Sequence, residues 1–202
     1  MNSFPEGNAI VYCQGAFGTT NGKTAHGARP WLGENAIEAL FEDIRIVQRF
    51  FADLTAPDHW HRTANLSVIR AGESFNQVPD KAEALFDIRY TETDDIDDLV
   101  EQIRSAVSGT MTIQAREPMF NSPDSPCLDR LLALSPEIRT GVAHGASDAR
   151  FLTQFNIAGI VWGADGNDSQ HSEQEHVDIP SIARLYDLLD RFVDDLQANP
   201  IG

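Results

Sequence analysis

Three prolines within nine residues, Pro118, Pro123 and Pro126, divide the 202-residue chain into two stretches that follow different folding rules. Each proline removes a backbone donor and fixes φ, so no regular element runs through the group. Ahead of it the patterns read β-β-α-β-β-α-β. Behind it they read α-β-α-β-α.

The first stretch opens with strands at 7–14 (GNAIVYCQ) and 16–25, followed by a loop over 22–33 punctuated by Gly27, Pro30 and Gly33. A helix is expected from Glu34, where Ile37, Leu40, Phe41, Ile44, Val47 and Phe51 recur at spacings of three and four, and it breaks at 56–58. TANLSVIR (63–70) alternates apolar with polar residues as a half-buried strand does. A loop over 73–80 holds Asn76 and Pro79, and KAEALFDIRY (81–90) is the next strand. A helix over 94–107 carries its acids in the first turn, where the helix dipole favours them, and turns Ile96, Leu99, Val100 and Ile103 inward. TMTIQAR closes the unit as a strand over 110–116. This order predicts an antiparallel sheet with two helices on one face, an α+β two-layer sandwich of ferredoxin-like topology over residues 1–117.

Residues 118–202 are predicted to hold a helix at 127–134, a strand at 138–143, a helix from about Asp148, a buried strand at 157–162 (IAGIVW) and a helix at 182–196. Alternation of this kind builds a parallel or mixed sheet covered by helices. Two strands and three helices are too few to complete such a domain. The expectation is an incomplete α/β segment, the end of a domain whose beginning lies elsewhere.

The formal charge of −16 argues against nucleic acid and anionic membrane as partners, since both require a basic footprint. The acidic run ETDDIDDLVE (92–101) reads as the solvated face and first turn of a helix. Cys13 and Cys127 stand alone with no CxxC spacing, which fits a reducing, cytoplasmic setting. No apolar run approaches the ~20 residues of a membrane span. The N-terminus has neither the basic start nor the apolar stretch of a signal peptide.

The loop GADGNDSQHSEQEHV (163–177) delivers His171 and Glu175 to the start of the last helix. A histidine held there among acids suits a metal ligand at the edge of an α/β sheet. A surface-loop histidine is the plain alternative. Zinc sites use about three or four protein ligands, and no other cluster in the chain follows the spacing rules. His171 therefore reads as one ligand of a site completed elsewhere. His59 and His61 (DHWHRT) look like a metal pair but lack acidic support and read as surface residues.

Four segments, in order, carry a resemblance: GKTAHGARPWLGENAIEAL (22–40), FNQVPDKAEALFDIRY (75–90), HGASDARF (144–151) and the 163–177 loop. The chain resembles the C-terminal half of a co-catalytic zinc hydrolase of the family that contains succinyl-diaminopimelate desuccinylase, acetylornithine deacetylase, aminoacylase and glutamate carboxypeptidase. That resemblance implies a lid or dimerisation domain over 1–117 and the C-terminal part of the catalytic α/β domain over 118–202. It also implies two zinc ions in the complete enzyme, with cobalt or manganese as substitutes, and a homodimer formed through the lid. The family's other metal ligands and its catalytic glutamate precede the lid.

The same resemblance implies a role for each candidate. His171 would be the single metal ligand of this half. His26 would reach the partner subunit's active site and donate a hydrogen bond to the oxyanion of the tetrahedral intermediate; otherwise it is a turn histidine that caps the next helix. Asn76 and Arg89, thirteen apart, would hold a substrate carboxylate between an amide and a guanidinium fork, with Arg150 as a further candidate. Arg89 is otherwise a strand-surface charge. Ser147 and Asp148 read as helix caps, Glu175 as a structural partner, His176 as a loop residue, and His144 as either a site-lining or an ordinary residue.

The resulting expectation is part of a metal-dependent hydrolase that cleaves the amide of an N-acyl amino acid or small peptide with a free carboxylate. The alternative is a non-catalytic dimerisation or binding module derived from such an enzyme. A nucleic-acid binder of similar topology is opposed by the charge.

Overall fold

A computed structural model describes residues 2–3, 7–15, 22–52, 54–56, 60–117, 119–120, 125–136, 138, 140–142, 147–166 and 171–201, with backbone only for 2–3, 7–15 and 142. His59 and His144 lie outside the described residues, as does most of the strand expected at 16–25. In chain order the first elements are β1 (Asn2–Ser3), β2 (Gly7–Gly15), β3 (Ala25–His26), a 3-10 turn (Pro30–Leu32), α1 (Ala36–Arg49), β4 (Thr63–Ala71) and β5 (Gln77–Val78). There follow β6 (Ala82–Tyr90), α2 (Ile96–Ala106), β7 (Thr110–Glu117), α3 (Pro126–Leu134), β8 (Gly141–Val142), α4 (Arg150–Thr153) and α5 (Ile179–Ala198). They sort into two compact units, one of residues 6–119 and one of residues 1–5 with 120–202.

The first, the sheet unit, is an α+β structure around a four-stranded antiparallel sheet of order β4-β6-β2-β7. Its pattern follows from β6, whose residues are alternately buried and half-buried. Ala82, Ala84, Phe86, Ile88 and Tyr90 pack in one core with Leu40, Ile44 and Val47 of α1 and Leu99, Val100 and Ile103 of α2. The helices begin where side chains satisfy their first amides: Asn35 accepts from Ile37 N, and Asp95 accepts from the amides of Asp97 and Asp98. Phe41, expected in the inward stripe of α1, is instead half exposed. The inward arc is filled by Leu40, Ile44 and Val47, and position 41 falls a step of ~100° outside it.

Buried Asp43 joins the unit's two halves. Its carboxylate accepts from Ser108 N at 2.8 Å, Ser108 Oγ at 3.1 Å and Gly109 N at 2.8 Å, tying α1 to the turn between α2 and β7.

The register gives the sheet two distinct ends. At one, the chain enters on Gly7 opposite Tyr90 and departs on Glu117 opposite Asn8. At the other, Ala82 pairs with both Gly15 and Ala71, so the connections after β2 and β4 project from that end.

In the second, the C-terminal unit, β1 and β8 form a parallel ladder of two residue pairs, Asn2 with Gly141 and Ser3 with Val142. α3 packs on α5, burying Leu131 and Leu188, with Arg130 paired to Asp195 at 3.2 Å. The buried strand expected at 157–162 does not form. Among the described residues that segment carries only an isolated bridge position at Val161, and Ile157 is half exposed. A parallel strand draws its stability from ladders on its flanks, and the two-pair ladder of β1 and β8 is the only sheet described in this unit. The helix expected from Asp148 is one turn, Arg150–Thr153, whereas the last helix runs longer than expected, Ile179–Ala198.

Candidate active-site residues

The connections at the far end of the sheet hold two of the candidates side by side. β3 pairs with β5, setting His26 opposite Gln77 and Ala25 opposite Val78. Gly27 N donates to Asn76 O at 2.6 Å. The approach is close enough that a Cβ on Gly27 would stand 3.1 Å from the Asn76 carbonyl. Lys23 and Glu34 exchange both backbone hydrogen bonds, and Ala36 N donates to Pro79 O at 2.9 Å, so the two loops form one stitched platform.

On that platform each polar side chain has a defined orientation. Ala28 N donates to Nδ1 of His26 at 3.0 Å. With that lone pair engaged, the neutral ring carries its proton on Nε2, which is turned outward as a donor. Ser74 Oγ donates to Oδ1 of Asn76 at 2.6 Å, which leaves the Asn76 amide nitrogen to donate elsewhere. Both residues are exposed. The same loops also expose Trp31, Leu32 and, fully, Phe75.

Arg89 is not in this group. It lies seven residues beyond Ala82 on β6, roughly 23 Å along the strand at about 3.3 Å per residue. There it pairs with Asn8 and Thr63 at the end where the chain enters and departs. Its Nη2 meets Asp87 Oδ2 at 3.0 Å, while Arg89 Nη1 and Asp87 Oδ1 are buried with no hydrogen-bond partner among the described residues. Within one chain, Asn76 and Arg89 therefore do not share a ligand.

Arg150 opens α4, pairs with Asp148 Oδ1 at 3.3 Å and lies 4.6 Å from the centre of the Phe151 ring. Ser147 Oγ accepts from Ala149 N at 3.2 Å.

His171 sits on a loop closed at its base by a bridge between Gly166 and Val177 and by Asp178 N donating to Asp165 O at 2.8 Å. Arg184 fastens that base by reaching Asp165 at 2.8 Å and Asp178 at 3.2 Å, and the Asp165 hydrogen bond is the chief cause that raises the guanidinium above its ordinary pKa. His171 itself has φ of 66°, a left-handed backbone that costs a residue with a side chain of order 1–3 kcal/mol. Glu175 Oε2 accepts from His171 N at 3.0 Å. The acid thus holds the backbone of the histidine and not its ring. His176 Nδ1 lies 2.9 Å from Gln174 O, as a loop residue would.

Among the described residues no three or more His, Cys, Asp or Glu side chains gather closely enough to hold a metal ion. His171 fits as one imidazole ligand: it is exposed, and its backbone is fixed by Glu175. No described helix is long and apolar enough to cross a membrane.

Comparison with known proteins adds to this geometry. Residues 13–111 match the model of the peptidase dimerisation domain of the M20 family. The chain is 27% identical over 194 residues to succinyl-diaminopimelate desuccinylase of Rhizorhabdus wittichii, covering 89% of this chain and 50% of that one. A probable carboxypeptidase of Aspergillus clavatus is 41% identical over 75 residues, covering 34% of this chain and 18% of that one. Among solved structures, aminopeptidase PepT of Bacillus cereus superimposes with a TM-score of 0.64 at 17% identity, over 97% of this chain and 54% of that one. The chain spans half the length of the desuccinylase, and less of the carboxypeptidase.

Proposed function

Because the chain belongs to the M20 peptidase family, whose dimerisation domain it carries, we propose that it is the lid and C-terminal part of a dimeric, zinc-dependent amide hydrolase. In this reading residues 1–117 are the lid, of ferredoxin-like topology, and 118–202 belong to the catalytic domain. The substrate is an N-acyl amino acid or small peptide with a free carboxylate, and the setting is cytoplasmic.

The observation that carries the proposal is the pairing of two outward donors, His26 Nε2–H and the Asn76 amide, on one stitched platform. That platform stands at the opposite end of the sheet from the chain's entry and exit. Donors so placed suit the active site of a partner subunit, and the exposed Trp31 and Phe75 beside them suit burial against it.

When bound, zinc or a substitute metal supplies Lewis acidity and an activated water, with His171 as this chain's ligand. His26 donates to the carbonyl oxygen of the scissile amide as negative charge develops there. Asn76 donates to the substrate and fixes its position. Arg89, whose Nη1 has no hydrogen-bond partner among the described residues, takes the substrate carboxylate on the entry side, and Arg150 is the second guanidinium candidate for it. The general base comes from the half of the relatives that this chain does not span.

The test is hydrolysis by the protein assembled with that half and loaded with zinc, using N-succinyl and N-acetyl amino acids and di- and tripeptides. Turnover that requires the free carboxylate and stops on chelation is expected. A metal-loaded assembly inert to the whole panel overturns the proposal.

A further inference from the structure

Asn76 has a fixed backbone and a side chain whose two ends are hard to tell apart. Its carbonyl accepts from Gly27 N at 2.6 Å, and the next two residues, Gln77 and Val78, pair with His26 and Ala25. The carboxamide beyond has ends of almost the same size and shape, one with two N–H donors and one with an acceptor oxygen. Its terminal torsion is broad and roughly two-fold, so a half-turn exchanges donor for acceptor at little cost. Left to itself, an exposed asparagine presents both ends in turn.

Ser74 breaks that symmetry. Its hydroxyl donates to Oδ1 of Asn76 at 2.6 Å, from two residues earlier in the same loop. A hydroxyl has one proton to give. Spent on Oδ1, it holds the oxygen end and leaves the NH2 group as the end that meets a ligand. In the free molecule both residues are exposed, and water competes for the bond. Once a substrate and a second subunit cover the platform, the same bond strengthens. An amide turned the wrong way, oxygen against oxygen, then leaves polar groups unsatisfied away from water.

We propose that Ser74 is a positioning residue for substrate binding. It fixes Asn76 as a donor, so this subsite takes an acceptor oxygen, of a carboxylate or a carbonyl, and refuses a donor such as an ammonium group. This rests on the functional reading above, which sets Asn76 against the substrate. Ser74 does not touch the substrate and acts only through Asn76. The contact it supports lies away from the reacting atoms and is made equally before and during the chemical step. Its loss therefore falls on KM and leaves kcat in place.

The test is a double-mutant cycle on Ser74 and Asn76 in the assembled, zinc-loaded enzyme, with N-succinyl and N-acetyl amino acids as substrates. Ser74→Ala is expected to raise KM by about three- to tenfold, the span of one net hydrogen bond, with kcat within about twofold of the parent. Ser74→Thr, which keeps the hydroxyl, is expected to restore KM. In an Asn76→Ala background the same Ser74→Ala change is expected to move KM by about 1.5-fold or less, because the residue it acts through is gone. An equal effect with and without Asn76, an effect on kcat alone, or no rescue by threonine overturns the proposal. Relaxation of the 15N-labelled Asn76 side-chain amide, identified by its absence from Asn76→Ala, reads the orientation without turnover. That amide is expected to be rigid in the parent and mobile in Ser74→Ala, with urea unfolding unchanged, and equal mobility in the two overturns the proposal as well. Rigidity lost in a protein whose parent hydrolyses nothing sinks the functional reading and leaves the hold of Ser74 on Asn76 standing. Hydrolysis with no coupling between the two residues does the reverse.

Discussion

Ala28 N donates to His26 Nδ1 across a single turn, at 3.0 Å, and so determines which ring nitrogen faces out with its proton. If Nε2–H stabilises an oxyanion, His26→Ala in the assembled enzyme lowers kcat by roughly a hundredfold, the usual loss for one such donor. Zinc content stays the same. Mixing that variant with His171→Ala restores partial activity where subunits exchange, since some dimers then hold one site with both histidines. No recovery in a mixture shown to exchange would mean that His26 acts within its own chain or not at all.

Gly27 approaches the Asn76 carbonyl so closely that a Cβ added to it would stand 3.1 Å away, tighter than an ordinary contact. Gly27→Val must push the Asn76 carbonyl away and shift both donors by a fraction of an ångström or more. Displacements near 1 Å cost about a hundredfold in rate. A drop in kcat of at least about tenfold, with a fall in unfolding free energy of no more than about 1 kcal/mol, is expected from steady-state kinetics and urea melts. Kinetics indistinguishable from the parent would show that the platform has no part in the reaction.

Asp43 is the reverse case, a residue of stability and not of chemistry. Replacing it with alanine takes from two part-buried amides and a hydroxyl the buried acceptor they share. Hydrogen bonds to a charged group are worth about 1.5–3 kcal/mol each, and the loss is shared among neighbours. Asp43→Ala should cost about 3 kcal/mol in urea unfolding. Asp95→Ala, which removes an exposed helix cap, should cost about 1 kcal/mol. Equal costs for the two would contradict the assigned role of Asp43.

Glu175 holds the left-handed backbone of His171 through one hydrogen bond. Glu175→Ala frees the backbone that carries the imidazole. Supporting residues of this kind change metal affinity by about 10- to 100-fold when mutated. Zinc titration of the assembled enzyme is expected to show a loss in that range with unchanged circular dichroism, and affinity equal to the parent would remove Glu175 from the metal's support.

Much of the sheet unit is legible from periodicity, because each element faces one core and repeats its apolar residues accordingly. β4, β6, β7 and α2 lie within about two residues of where alternation and helical spacing put them. Asp43 escaped that reading, since an acid within an amphipathic helix looks like solvated surface until the Ser108–Gly109 turn is seen against it. The segment at 157–162 failed for a different reason: apolar composition marks a strand's preference, but the ladder that realises it depends on neighbours. For the candidate site, residue types pointed to donors and guanidinium forks. Spacing could not say that Asn76 and Arg89 diverge, because a thirteen-residue separation that includes most of a nine-residue strand carries its ends apart.

The pairing of Asn8 with Glu117 brings the first and last strands of the sheet unit together as neighbours. A module whose two ends exit side by side needs only one small gap in whatever bears it. It can be spliced into a surface loop of a host as a pendant, leaving the host's own fold intact. Lengthening, trimming or exchanging the pendant then changes what it presents to a neighbouring molecule without redrawing the framework that bears it, and reach and chemistry can be altered independently.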